Sequence, residues 1–191
     1  IILTSAISAE SIHFLLNIAN KFDVKIVIDL NWREVFWDFA TSSSETSQKE
    51  RVDLIRNFLN YANILKLAKE EAILFFENEN PLEISETMIN LPDVIITDGA
   101  NPIRWLINGV QGTTEVINSS KIIDTTGAGD AFLAGLISQL LSFDYPSNES
   151  EIQNCVRFAG VCGLLTCLGE GAIEQQPDHS KVNEFFGSQI L

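Results

Sequence analysis

Basic residues are scarce in this chain. Twelve lysines and arginines stand against 26 acids, a formal net charge of -14 over 191 residues. That balance excludes a general nucleic-acid surface and an anionic-membrane surface, since both recruit positive charge. A bound anion would need local positive potential from helix N-termini, a cation or a few bases. Cysteine is sparse as well, with Cys155, Cys162 and Cys167 alone. Their spacing fits no zinc pattern, and an odd count does not suggest a disulfide framework. They read as buried reduced thiols of a cytosolic protein. The two histidines, His13 and His179, show no partner pattern and read as surface residues. The longest uncharged apolar run, Phe158 to Leu168, falls far short of the ~20 residues of a membrane span. Two phosphate fingerprints are also absent: there is no Gly-Lys-Ser/Thr P-loop and no third glycine to complete a dinucleotide loop. The chain opens Ile1-Ile2-Leu3 without an initiator Met, and its first charge is Glu10. It does not start like a signal peptide, and an apolar opening without Met is read as a fragment. The expected location is the cytoplasm, with an organelle stroma left open.

What is present favours a folded α/β chain. Hydrophobic residues make up 46% and charged residues 20%, enough for one sizeable core. Ile1 to Thr4 reads as a strand end. Ser8 to Phe22 is an amphipathic helix with Ile12, Leu15, Leu16 and Ala19 on one face and Ser8 as an N-cap. Val24 to Leu30, Ile64 to Leu67 and Val94 to Thr97 read as buried parallel strands. Thr41 to Gln48 is a polar loop. Helices are expected over Lys49 to Tyr61, with Val52, Ile55, Phe58 and Leu59 inward, and over Lys69 to Glu77. Ser85 to Leu91 is weakly helical. Ile103 to Ile107 and Thr113 to Ile117 flank Asn108-Gly109, a hairpin signal. A long helix covers Ile152 to Leu168, and a last one, capped by Asp178 or Ser180, ends near Phe186. Alternating strands and helices imply a parallel sheet covered on both faces. Small residues on the late helices (Ala134 and Gly135, then Ala159, Gly160 and Gly163) allow close packing. The whole of residues 1–191 is expected to form one α/β domain.

One segment carries chemistry. In Asp124-Thr125-Thr126-Gly127-Ala128-Gly129-Asp130-Ala131-Phe132, two glycines lie one residue apart before an acid, and an apolar helix follows. Glycines there permit a tight turn with bare N–H groups, and the helix start adds unsatisfied donors that favour an anion such as phosphate. Asp130 then has two readings. It caps the helix, or it is a base held beside a phosphoryl group.

Asp124 to Phe132 resembles the C-terminal signature of the ribokinase-like (pfkB) carbohydrate kinases. Asp29-Leu30-Asn31-Trp32-Arg33 with Phe36-Trp37, and Ile64-Leu65-Lys66-Leu67 with Glu70-Glu71, are similar to segments of the fructokinase branch. Val94 to Gly99 resembles the strand entering the nucleotide loop. Phe158 to Gly163, followed by Gly171-Ala172, resembles the helix and loop around the adenine.

The resemblance implies a three-layer α/β/α fold with a mostly parallel sheet. It also implies that N-terminal strands and a β-lid lie outside this chain, which would be the C-terminal part of a longer kinase domain. It implies ATP, Mg²⁺ and a K⁺-type monovalent cation, a sugar substrate, and a homodimer in the full-length protein. Asp130 would accept the sugar hydroxyl proton, with Gly127, Ala128 and Gly129 as an anion hole. Asp29, Asn31 and Arg33 would face the substrate, against a surface salt bridge as the alternative for Arg33. Lys66, Thr97, Gly99, Thr125, Thr126 and Gly163 would join Gly127 and Gly129 on the nucleotide. Glu71 would reach Mg²⁺ through water, the alternative being a helix-start carboxylate. The backbone near Asp124 would join the monovalent-cation site. Trp32 and Trp37 read as core or rim aromatics. Ala68 and Pro102 depart from the family pattern.

The implied activity is a fructokinase-like ATP-dependent sugar kinase. Other acceptors (a 2-keto-3-deoxy sugar acid, ribose, inositol or a nucleoside) and a non-catalytic fructokinase-like binding protein are the alternatives. Alone, this stretch is expected to be inactive or poorly soluble, because its sheet edge is uncovered.

Overall fold

A computed structural model describes residues 5–33, 35 and 48–188. The strand read at Ile1 to Thr4, the loop at 41–47 and Trp37 lie outside them. The chain divides into two compact units, Ile1–Ile96 and Thr97–Leu191.

The first unit carries α1 (Ala6–Lys21), β1 (Val27–Asp29), α2 (Gln48–Leu59), β2 (Ile64–Ala68), α3 (Lys69–Phe76) and α4 (Pro81–Glu86), and leads into β3 (Asp93–Asp98). β1 runs parallel to β2, with Val27 opposite Ile64 and Asp29 opposite Lys66. Ile64 to Leu67 are all buried, as expected of a parallel strand covered on both faces. Leu16, Ile28, Ile55, Leu59, Leu65, Phe75, Ile84 and Val94 belong to one core cluster, with Ile12, Ala19, Val52 and Phe58 packed on it.

Three boundaries differ from the sequence reading. α1 begins at Ala6, with Ser5 at the N-cap position, so Ser8 lies inside the helix. Leu15 is 57% exposed, because the inward stripe runs through Ile12, Leu16 and Ala19 and leaves Leu15 beside it. β1 is shorter than Val24 to Leu30. The Asn63 side chain accepts the Ile26 N–H at 2.7 Å in place of a backbone carbonyl, so regular pairing begins at Val27 opposite Ile64. α4 forms upstream of Ser85 to Leu91, because Asn80 caps it by accepting the Leu82 N–H and Pro81 sits in its first turn. Those two start signals outweigh a weak period further on.

The second unit contains β4 (Asn101–Ile107), β5 (Val110–Thr114), α5 (Ala128–Ser142), α6 (Glu149–Thr166) and α7 (His179–Ser188). Asn108 and Gly109 have φ of 50 and 75°, the type I′ turn expected of Asn-Gly. A two-residue turn makes pairing resume at once, with Ile107 opposite Val110. The returning strand therefore starts at Val110 instead of Thr113. Trp105 lies opposite Gly112 and donates from Nε1 to Thr114 Oγ1 at 2.9 Å. Asp178, rather than Ser180, caps α7 by accepting the Lys181 N–H.

α5 and α6 meet through their small residues. A Cβ on Gly135 would stand 2.7 Å from Cys162 Sγ and 3.2 Å from Ala159 Cα, whereas one on Gly160 would meet only Ile103 Cδ1, at 3.7 Å. Gly135→Ala should therefore lower stability by about 1–3 kcal/mol through overpacking. Gly160→Ala should raise it by about 0.5–1 kcal/mol, since it removes a helical glycine without a clash. Urea denaturation of the pair checks this, and equal midpoints would contradict the packing.

All three cysteines are free and buried. Burial pushes each thiol up, Cys162 to about 11. The thiols are therefore protonated and poor nucleophiles at neutral pH. A thiol reagent at pH 8 should label none of them in the native protein and all of them in guanidinium. Rapid native labelling would overturn the burial.

Candidate active site

The signature segment lies in the second unit at the start of α5. Gly127 is its N-cap, with φ of 80°, a left-handed conformation that glycine reaches without steric cost. A Cβ there would also come within 2.9 Å of Ala172. The Ala128 N–H donates to the Thr125 carbonyl at 3.2 Å. Among the described residues the N–H groups of Gly127, Gly129 and Asp130 have no acceptor. The open donors thus include Asp130's own amide, which the sequence reading did not include, while that of Ala128 is engaged. Asp130 sits in the first turn of α5 and is exposed. Its carboxylate accepts no hydrogen bond from any described residue, so it does not cap the helix.

Asp124 holds this turn in place. Its Oδ1 accepts the Thr126 N–H at 2.9 Å and the Thr126 hydroxyl at 2.7 Å. Its Oδ2 accepts the Gly171 N–H at 3.1 Å. The Thr126 hydroxyl, then the Thr126 and Gly171 amides, hold the Asp124 carboxyl below its usual value. These bonds stabilise the turn above the ordinary carboxyl pKa and are lost as pH falls through the lowered one. The Asp-Thr-Thr sequence signals the local bonds as an Asx-type turn. No sequence pattern links Asp124 to Gly171, 47 residues away. Thr125 is exposed. Gly163 packs beneath the start of α5, where a Cβ would lie 3.1 Å from the Ala128 carbonyl oxygen. Thr97 is next to last in β3, and Gly99, at φ of 55°, lies in the turn before β4. Pro102 lies within β4.

The other predicted residues lie in the first unit, at the ends of β1 and β2, where open α/β sheets bind ligands. Lys66 Nζ donates to both Asp29 oxygens at 3.1 Å, a largely buried pair across the two strand ends. Asn31 has φ of 44°, a conformation asparagine tolerates better than most residues. Arg33 donates to the Trp32 carbonyl at 3.1 Å and is exposed. Glu71 is buried in the first turn of α3. One of its oxygens accepts the Ala68 N–H at 2.7 Å, and the other accepts the Trp32 N–H at 2.6 Å. Burial raises its pKa, against the lowering effect of the two amides and Lys66. A carboxyl raised in this way contributes most when protonated, and its contribution falls as pH rises through the folded pKa. Trp32 packs edge-on against Phe75, with centroids 5.2 Å apart. The link from Glu71 to the Trp32 backbone had no signal in the sequence.

Among the described residues no three His, Cys, Asp or Glu side chains gather as a metal-binding group. No helix among them is long and apolar enough to cross a membrane.

The model of the "pfkB family carbohydrate kinase" family matches residues 2–179. Probable fructokinase-6, chloroplastic, of Arabidopsis thaliana is 28% identical over 171 residues, covering 87% of this chain and 42% of its own length. Fructokinase of Vibrio alginolyticus is 25% identical over 166 residues, 85% of this chain and 50% of its own. The chain spans about half the length of the curated relatives it matches. The crystal structure of fructokinase from Vibrio cholerae O395, in a fructose, ADP and calcium ion bound form, superposes with a TM-score of 0.78 at 24% identity, covering 96% of this chain and 57% of that one. Fructokinase with bound ATP from Xylella fastidiosa gives 0.77 at 21%, covering 99% and 60%. At those identities the structures establish the fold, which is ribokinase-like α/β. With the family match running through nearly the whole chain, this protein belongs to the pfkB family of carbohydrate kinases.

Proposed function

We propose that the protein of which these residues form a part is an ATP-dependent sugar kinase, nearest a fructokinase, and that residues 1–191 form its nucleotide-binding and catalytic domain. One observation carries the reading. An ionisable side chain with no hydrogen-bond partner among the described residues, Asp130, stands beside three unengaged backbone N–H groups at a helix start. The helix dipole favours an acid there only weakly, whereas phosphoryl transfer gives this carboxylate a specific role.

In the proposed reaction a sugar hydroxyl oxygen attacks the γ-phosphorus of ATP. Asp130 takes the hydroxyl proton, the bond from phosphorus to the β–γ bridging oxygen breaks, and ADP leaves. The N–H groups of Gly127, Gly129 and Asp130 donate to the non-bridging oxygens as negative charge builds on them. Asp29, Asn31 and Arg33 serve the sugar side. Lys66, Thr97, Gly99, Thr125, Thr126 and Gly163 serve the nucleotide. The donor set suits Mg²⁺, which is commonly held by substrate phosphates, waters and one or two carboxylates instead of a protein cage. Glu71 would meet it through water, using the lone pairs its two amide bonds leave over. Mg²⁺ would neutralise phosphate charge. A monovalent cation near Asp124, a homodimer of the full-length protein and a cytoplasmic location complete the proposal.

The test is coupled ADP release by the complete protein with fructose, ribose, 2-keto-3-deoxygluconate, inositol and adenosine in parallel. Fructose should be turned over fastest. Asp130→Asn should lower kcat by roughly 10²–10⁴-fold with folding intact. Near-full turnover by that variant would sink the assignment of the base.

A further inference from the structure

The segment that bears Asn31 and Arg33 is seated on α3 at two points. Glu71 accepts the Trp32 N–H at 2.6 Å, and Phe75, one helical turn later on the same face, meets the Trp32 ring edge-on at 5.2 Å. The second Glu71 oxygen binds the Ala68 N–H, so the same carboxylate also fixes the start of α3. Trp32 lies between Asn31, held at φ of 44°, and Arg33. Holding Trp32 therefore restricts both neighbours. Glu71 is buried, and an unmet amide or carboxylate oxygen there costs more than an exposed one.

We infer that Glu71 and Phe75 are positioning residues, which seat Trp32 and thereby hold Asn31 and Arg33 in the geometry that receives the sugar. The inference rests on the kinase reading for its substrate, and on the hydrogen bond and ring contact for the tether.

The experiment uses Glu71→Gln and Phe75→Leu in the complete protein. Glutamine keeps the length of Glu71 but replaces one acceptor oxygen with a donor. Amide exchange at Trp32 should speed up by about tenfold in both variants. Exchange at Leu65, in the buried strand β2, should not change, which separates loss of the tether from general loosening. In both variants the KM for the preferred sugar should rise by about tenfold; in Phe75→Leu, which touches no proposed ligand, the KM for ATP should stay within about twofold. Unchanged exchange at Trp32, or equal acceleration at Leu65, overturns the tether. Faster exchange at Trp32 with an unmoved sugar KM overturns the positioning role. A wild-type protein that phosphorylates none of the acceptors tells against the kinase reading instead, and the exchange data still decide the tether.

Discussion

The close approach of α5 and α6 is the constraint on which the second unit depends. Gly135 lets Cys162 and Ala159 come within reach of its backbone, and Gly163 admits the Ala128 carbonyl. A helix axis brought that near has few ways to start. Gly127 takes a left-handed conformation with Ala172 against it, and Asp124 bridges the turn to Gly171. The open N–H groups at the start of α5 therefore stand on a closely packed, hydrogen-bonded turn. Electrostatic stabilisation of a transferring group requires this, because donors that must reorganise lose much of their effect.

The acids of the chain divide by what holds them. Asp29 faces Lys66 across paired strand ends. Glu71 gives both oxygens to backbone amides. Asp124 accepts three hydrogen bonds. Each has a structural account in its immediate contacts, and removing a partner would leave a polar group unsatisfied. In a chain of net charge -14, locating such bonds matters more than counting acids.

Much of this was legible in the sequence, and the losses have physical causes. Buried parallel strands, the Asn108-Gly109 hairpin and the glycine-rich helix start are local signals, and each formed where it was read to within a few residues. α4 forms upstream of Ser85 to Leu91 because the cap and proline at Asn80-Pro81 outweigh the weak period there. β1 was overlong because an apolar run does not reveal that Asn63 will intercept Ile26. For Glu71, the helix-start alternative was visible from its position, but the bond to Trp32 joins residues 39 apart. The Asp124 to Gly171 bond spans 47. Non-local bonds from one side chain leave no periodic trace, and only the folded backbone brings their partners together.

Asp130 supplies the last step. A protein that kept this fold for binding alone would need Gly127, Gly135 and Gly163, because all three answer to steric contact. It would need Asp124, whose bonds hold the turn. It would not need Asp130, which bonds to no described residue, while the amides beside it stay open. An acid in the first turn of a helix gains a few tenths of a kcal/mol to about 1 kcal/mol from the dipole, and glutamate would serve as well. On the kinase reading proposed above, a short carboxylate at that place would act as a proton acceptor beside the open amides. An unbonded carboxylate beside unengaged amides is what the proposed kinase requires and a scaffold on the same backbone does not.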